Sequence, residues 1–425
     1  MSSFPCCSTW EALTAHLDSL GLFRIKPGLE RVHAGIERLG LAGSTMGMVH
    51  IVGTNGKGST AAFLHAVATA HGRSTGLFTS PHFLTPRERI RVRGKMLSRE
   101  TWVDLANAVY GACPGVDFSY FELLTLMAML AFSREGVDLA IMEAGLGGTW
   151  DATSAFGYDL TLITPIGMDH EQILGSTIEA IGRDKAGAIQ GGEVVCGPQQ
   201  RNVADILRSR ACEKGAGFHY PDLDPGADPP GEPLRDSEGT IMDLTRASLG
   251  LAGPFQKTNA LLALYGWSVF ARLKGWPFSA LECMQGLANA THPGRIQVIY
   301  KNPTFLLDGA HNLMGLEALA ASLVQMDFRP DIMIFSCMED KNILDHLSMV
   351  TGLCAGPILV PAIPNNHRAM DPQRLTAMLG NRAIPCSGMQ EALDRIGRTD
   401  TRVLVCGSLY LLGEFFRIRP EGLAC

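Results

Sequence analysis

Lys57 stands inside a glycine-rich octapeptide, Gly53-Thr-Asn-Gly-Lys-Gly-Ser-Thr60. That composition suits a polyanion. Glycines let successive backbone N–H groups curl around phosphate oxygens, and a helix beginning there adds positive potential. Lys57 would reach the outer phosphates, and Ser59 or Thr60 could approach Mg2+. The apolar run Met48–Val52 comes before the loop, and a helical period from about Gly58 to Ala70 comes after it. Strand, glycine turn and helix are the context a phosphate loop requires. The spacing departs from G-x-x-x-x-G-K-[ST]: two residues separate Gly53 from Gly56, and Gly58 lies between lysine and hydroxyl. A tight turn without a ligand is the alternative.

Other reactive groups stand where apolar runs end, and parallel α/β sheets bind ligands beyond the carboxyl ends of their strands. Asp138-Leu-Ala-Ile-Met142 ends in Glu143, a glycine turn and Asp151. A carboxylate placed so is a hard-cation ligand, or else a helix cap or a partnered structural acid. Leu160–Thr164 leads to Asp169-His170, where the imidazole could meet a metal or a phosphate. Thr75–Thr79 leads to Ser80-Pro81-His82, a further oxygen donor. Phe305–Leu307 leads to Asp308-Gly-Ala-His311-Asn312; with Arg295 these could complete a nucleotide site across a domain cleft. Lys185 reads on its helix as a solvated charge or an ion-pair partner. An ammonium cannot bind a metal, but a lysine carbamylated by CO2 could.

The elements that must position these groups alternate as strands and helices. Strand patterns cover 48–52, 75–79, 88–92, 137–142, 160–164 and 193–196, with helical periods at 8–40, 58–70, 99–111, 121–133, 176–188, 256–273 and 278–290. Thr291-His292-Pro293-Gly294-Arg295 is a break with turn chemistry, after which the alternation restarts. Strands are expected at 296–300, 304–308, 331–335, 356–360 and 402–406, and helices at 313–325, 341–350, 371–379, 388–397 and 408–417. The fold class is α/β, divided into residues 1–292 and a smaller unit, 293–425. Residues 221–240, rich in Pro, Asp and Gly, read as a surface excursion.

Composition narrows the function classes. The chain has 425 residues, 46% hydrophobic and 18% charged, which excludes disorder as its main state. A net charge of −6 argues against nucleic-acid binding through bulk positive charge. The eleven cysteines form no C-x-x-C, so reduced thiols in the cytoplasm are expected rather than a disulfide or zinc framework. Neither a signal peptide nor a membrane span is expected.

Taken in order, the motifs resemble those of folylpolyglutamate synthase/dihydrofolate synthase, in the Mur ligase superfamily. They are GTNGKGST (53–60), SPHFLTPRERIRVRG (80–94), SYFE (119–122), EAGLGGTWDATS (143–154), GMDHEQILGSTIEAIGRDKAG (167–187), HPGRIQV (292–298), DGAHN (308–312), MEDKNI (338–343) and VLVCGSLYLLGE (403–414). The resemblance implies an ATP-dependent amide ligase of folate biosynthesis. A pteroate or folate carboxylate is phosphorylated, and the amine of L-glutamate displaces phosphate from the acyl phosphate. It implies an N-terminal phosphate-loop ATPase-like domain with a mainly parallel sheet, and a Rossmann-like C-terminal domain that helps bind glutamate.

The resemblance also carries roles onto residues. The phosphate loop is Thr54, Asn55, Gly56, Lys57, Gly58, Ser59 and Thr60. Asn259, Arg295 and Asp308 contact ATP, and His311 lies near the phosphates. Ser80, Glu143, His170 and a carbamylated Lys185 hold two Mg2+ ions. Lys57, His170, Lys185, Arg295 and His311 form the catalytic set. Dihydropteroate is held by Ile25, Lys26 and Pro27, by Ser119, Tyr120, Phe121 and Glu122, and by Trp150, Asp151 and Ala152. A monomer is expected, with pteroate or folate, glutamate and ATP as its small-molecule partners. Three positions depart from the family: Ser154 replaces an Asn, Thr149 an Arg, and Lys26 an Asp.

Other readings are less well supported by the residues. A cell-wall Mur ligase needs a UDP-sugar-binding domain, and about 50 residues before Gly53 are too few for one. A GTPase or kinase lacks support, since no N-K-x-D motif occurs. A polyglutamylase without dihydropteroate activity, or a non-catalytic ATP-binding relative, would keep the same motifs.

Overall fold

The computed structural model describes residues 7–22, 24, 26–43, 45–221, 234–239, 242, 247–299, 302–339, 341, 345–397 and 400–423. The first sheet is built from β1 (Gly47–Val52), β2 (Thr75–Phe78), β3 (Ile90–Val92), β4 (Lys95–Met96), β5 (Leu139–Glu143), β6 (Leu160–Ile163), β7 (Glu193–Cys196) and β8 (Gly217–His219). Its order is β4-β3-β2-β5-β1-β6-β7-β8. All neighbours are parallel except β3, which runs antiparallel to both β2 and β4.

The central strand β1 is buried at all six positions. Its side chains divide by the period of two: Met48 joins one core, while Val49 and Ile51 join the other. Continuous apolar runs of this kind belong to strands covered on both faces. Helices Trp10–Leu20, Glu30–Arg38, Arg99–Ala112 and Tyr120–Arg134 supply the first core, and Lys57–Ala70, Phe255–Lys274 and Ala280–Asn289 the second.

The second sheet comprises β9 (Gln297–Ile299), β10 (Thr304–Leu307), β11 (Ile332–Phe335), β12 (Ile358–Pro361), β13 (Ala383–Cys386) and β14 (Arg402–Cys406). It runs β13-β12-β11-β14-β10-β9, parallel but for β9. Val403 and Val405 of β14 enter one core, Leu404 and Cys406 the other.

Several elements went unread in the sequence. Helix Arg201–Glu213, β4, β8 and β13 are additional. β13 carries Pro385 and lies at the sheet's edge, where a missing N–H is tolerated. The helix expected at 341–350 is observed as Leu347–Gly352, residues 342–344 lying outside the described set. Most of the 221–240 excursion also falls outside it. Among the described residues, Cys113, Cys196, Cys212, Cys283, Cys337, Cys354, Cys386 and Cys406 are free thiols, all buried but Cys212. Among the described residues, no helix is long and apolar enough to cross a membrane.

Candidate active site

The loops that leave β1, β2, β5, β6 and β10 at their carboxyl ends converge on one cavity of about 460 Å³. In-register pairing brings them together, with Ile51 of β1 opposite Glu143 of β5 and Val52 opposite Ile163 of β6. Thr54, Asn55, Gly56, Lys57, Gly58, Ser59, Ser80, Glu143, His170, Lys185, Asn259, Arg295, Asp308 and His311 all line it. Thr60 does not: it is fully buried behind the loop, which leaves Ser59 as the hydroxyl facing the cavity.

Two glycines explain the unusual loop spacing. Gly56 has φ +88°, and a Cβ there would meet Asn259 Oδ1 at 2.5 Å. At Gly58 a Cβ would come within 2.5 Å of His292 Nε2. The extra glycine between Lys57 and Ser59 is thus the place where the segment joining the two sheets packs on the phosphate loop.

Lys57 Nζ donates to the carbonyls of Gly53 (3.1 Å) and Thr54 (3.0 Å). Burial lowers its pKa, opposed by the charges of Glu143 and Asp169. Glu143 is pushed up by burial and held back by Lys57, while accepting from the Ser80 amide at 3.0 Å. Of the readings the sequence left open for Lys185, the structure excludes the solvated charge. Lys185 is 5% exposed and donates to the Gly53 carbonyl at 2.9 Å. Burial, then the Lys57 charge, brings its pKa down to about 7. Burial and the charge of Lys341 take His170 down to about 3.

Asp308 spends its carboxylate on the amides of Ile296 (3.0 Å) and Ala310 (2.8 Å), with burial raising its pKa against the nearby Arg295 charge. His311 Nδ1 lies 2.8 Å from the Gly309 carbonyl. Asn259 donates to Gln256, whose amide in turn donates to Ser59 Oγ.

Among the described residues no three His, Cys, Asp or Glu side chains form a metal-ready cluster. Mg2+ does not need one, since it takes one or two carboxylates and fills its shell with phosphate oxygens and water. Buried Glu143, the Ser80 hydroxyl and the phosphate loop on one cavity wall fit that habit.

The described residues of the three segments assigned to dihydropteroate lie outside this cavity, and the second and third segments reach the Gly145–Leu146 turn that lines it. Ile25 falls outside the described residues. Arg31 gathers the first two segments, donating to Glu122 (2.9 Å) and to the carbonyls of Lys26 (2.9 Å) and Pro27 (3.2 Å). Ser119 and Glu122 form the capping box of helix Tyr120–Arg134. A Cβ on Gly145, in the turn after Glu143, would meet the Phe121 ring at 2.6 Å. Asp151 binds that turn through the Leu146 amide (2.8 Å), Ala152 is buried beside it, and Trp150 is 58% exposed. Tyr120 is buried under the Arg89 guanidinium.

Two of the three departures, Lys26 and Thr149, acquire local explanations, and nothing in the structure explains the third. Lys26 is ion-paired with Asp117 at 2.6 Å. Thr149 donates to the Asp184 carbonyl at 2.9 Å. The Ser154 hydroxyl is buried and has no hydrogen-bond partner among the described residues.

Sequence reasoning passed over Asp169 as a functional residue, treating it as the neighbour of His170. The structure makes it the hub of the cleft. Its carboxylate meets Lys341 Nζ at 2.5 Å and Asn312 Nδ2 at 3.1 Å, with His311 Nε2 3.5 Å away. Burial opposes its ionisation, but the His311 hydrogen bond and the Lys341 charge hold it far below the usual carboxylate range. Its place beyond β6 was the available signal; Lys341, Asn312 and His311 lie at least 140 residues away and could not be paired with it by spacing.

Comparison with known proteins agrees with this geometry. The family model for the Mur ligase, glutamate ligase domain matches residues 294–409. A dihydrofolate synthase/folylpolyglutamate synthase of Bacillus subtilis is 35% identical over 346 residues, 77% of this chain and 80% of that protein. The solved structure of Escherichia coli FolC in complex with DHPP and ADP superposes with a TM-score of 0.85 at 27% identity, covering 98% of this chain and 99% of that one. The bifunctional Yersinia pestis enzyme, complexed with AMPPNP and Mn ion, gives 0.84 at 28% identity, covering 99% of this chain and all of that one. A phosphate loop facing Asp308 and Arg295 across one cleft, with these likenesses along the whole chain, makes this an ATP-dependent glutamate ligase of folate metabolism: the chain belongs to the dihydrofolate synthase/folylpolyglutamate synthase family of Mur ligases.

Proposed function

We propose that the chain adds L-glutamate both to dihydropteroate and to tetrahydrofolate polyglutamates, with residues 1–292 binding ATP and the pterin and 293–425 presenting glutamate. The observation that carries this reading is the single cavity shared by Lys57, Glu143, Lys185, Arg295 and Asp308. A carboxylate is a poor acyl donor. In the first step its oxygen attacks the γ-phosphorus and ADP leaves. In the second, the neutral amine of glutamate attacks the acyl carbon, phosphate leaves and the amine proton is released.

Phosphoryl transfer depends chiefly on positioning and charge. Amides of residues 54–58 cradle the phosphates, with Lys57 swinging from the Gly53 and Thr54 carbonyls to the outer phosphate. Arg295 places a second cation opposite it. Ser80, Glu143 and His170 would hold Mg2+, joined by Lys185 once carbamylated, for which its lowered pKa supplies the neutral amine that CO2 requires. When bound, Mg2+ neutralises charge on the phosphate oxygens. Asn259 and Asp308 orient the nucleotide, and His311 lies at the phosphate end. Closure of the two sheets around the cleft keeps water from the acyl phosphate.

The test is ATP- and Mg2+-dependent incorporation of labelled L-glutamate, run in parallel with dihydropteroate and with tetrahydrofolate. Incorporation with both is expected. Incorporation with tetrahydrofolate alone would make the chain a polyglutamylase, and none with either would make it a non-catalytic nucleotide binder.

A further inference from the structure

Two sets of side chains join the sheets, and they differ in kind. Beside the connecting segment the contact is apolar. Phe83, from the loop after β2, packs on the core of the second unit and lies edge-on to Phe416, ring centroids 5.0 Å apart. A Cβ on Gly294 would meet the Phe83 ring at 3.1 Å. At the phosphate loop the contact is polar and built around one acid. Asp169, beyond β6, receives Lys341 from beyond β11 and Asn312 and His311 from beyond β10. The Asp169 and Lys341 side chains are 8% and 7% exposed.

Asn312 extends this network to the nucleotide-binding loop. It exchanges two amide hydrogen bonds with Asn55, at 2.9 and 3.1 Å, while capping helix Leu313–Gln325. Lys341 Nζ also lies 3.4 Å from His170 Nε2. The charges facing Asp169 therefore come almost wholly from the other sheet. A buried ion pair contributes little net stability, because desolvation offsets attraction, but it can fix register between elements.

We propose that Asp169 is a positioning residue, which with Lys341 locks the second sheet onto the phosphate loop in the arrangement competent for phosphoryl transfer, Phe83 acting as the apolar pivot. The turnover part of this proposal rests on the ligase reading; the conformational part does not.

The experiment uses the full chain as wild type, K341M, K341R, D169N and the double variant D169N/K341M. Small-angle scattering without ligand reports the separation of the sheets, and glutamate incorporation reports kcat and KM for ATP. K341M and D169N are expected to raise the radius of gyration and to lower kcat about 10- to 100-fold, by more than they raise KM for ATP. K341R should retain the wild-type profile. The double variant should be no worse than the worse single one, because the two residues act as one unit. Should the single variants fail to fold, the double variant buries no unpaired charge and carries both readouts. A wild-type scattering profile and turnover in the double variant would overturn the proposal, as would losses that multiply when the substitutions are combined. Failure of the wild type to incorporate glutamate would sink the ligase reading instead, and the scattering comparison would still judge the lock.

Discussion

The ammonium groups of Lys57 and Lys185 donate to the same carbonyl oxygen, that of Gly53, at 3.1 and 2.9 Å. Two lysines on one acceptor, Lys185 buried and Lys57 half-buried, cannot both keep an ordinary affinity for protons. Each charge disfavours the other, and burial disfavours both. Lys185 yields, with a pKa brought to about 7, so much of it is a neutral amine near neutral pH.

That relationship gives the first prediction. Lys185→Ala should fold normally and lose about 10²- to 10³-fold in glutamate incorporation, the scale of removing one group that stabilises developing charge. Acetate in the assay should restore part of the rate if the missing group is a carbamate, because it supplies a free carboxylate. Rates with and without acetate, beside a thermal melt, decide the matter. Wild-type turnover in the variant would remove Lys185 from the chemistry altogether.

Gly58 provides a second test. Its missing Cβ is the space taken by His292. Gly58→Ala should displace either the loop or the connecting segment, raising KM for ATP at least tenfold on the reasoning that misplacement near 1 Å is costly. Adding His292→Ala should recover part of that loss by opening the space. Equal KM values in the single and double variants would show that the contact does not shape the loop.

How much of this was legible beforehand depended on distance along the chain. Gly53–Thr60, Glu143 and Asp308 were readable because strand, turn and functional residue are contiguous. For Lys185 the local residues left a solvated charge, an ion-pair partner and a carbamylated ligand open, because nothing local says that Ile178–Ala186 turns this lysine inward; its burial depends on the Gly148 turn and the Gly53 carbonyl. Asp169 and Lys341 are 172 residues apart, and only the packing of one sheet on the other pairs them. β13 was hidden by Pro385, which speaks against a strand except at an edge.

Arg31 joins Glu122 to the carbonyls of Lys26 and Pro27. Removing it leaves a buried carboxylate without its cation and frees the first segment. Arg31→Met should therefore cost about 2 kcal/mol, below the full value for a buried pair because the arginine is partly exposed. It should also raise KM for the pterin substrate while leaving KM for ATP unchanged. Denaturant titration and the two KM values test this. An unchanged pterin KM in a destabilised protein would confine Arg31 to a structural role.

The last prediction concerns acid. His50 is buried against Thr153 Oγ1 at 2.7 Å and stacked on Tyr158, and burial brings its pKa down to about 3. His65 is held near 4 by burial and the Arg91 charge. Both values lie below the ordinary 6.5, so the unfolded chain binds protons that the folded molecule refuses. Stability from these neutral imidazoles is complete above about pH 6.5 and falls away as the pH drops, toward 4 for His65 and toward 3 for His50, by about 1.4 kcal/mol per pH unit for each histidine within its window. Between pH 6.5 and 4.5, above the range where carboxylates titrate strongly, His50→Gln should make the plot of unfolding free energy against pH shallower by about one proton. Denaturant melts at half-unit steps measure that slope. Parallel slopes for wild type and variant would mean that His50 accepts its proton inside the folded molecule.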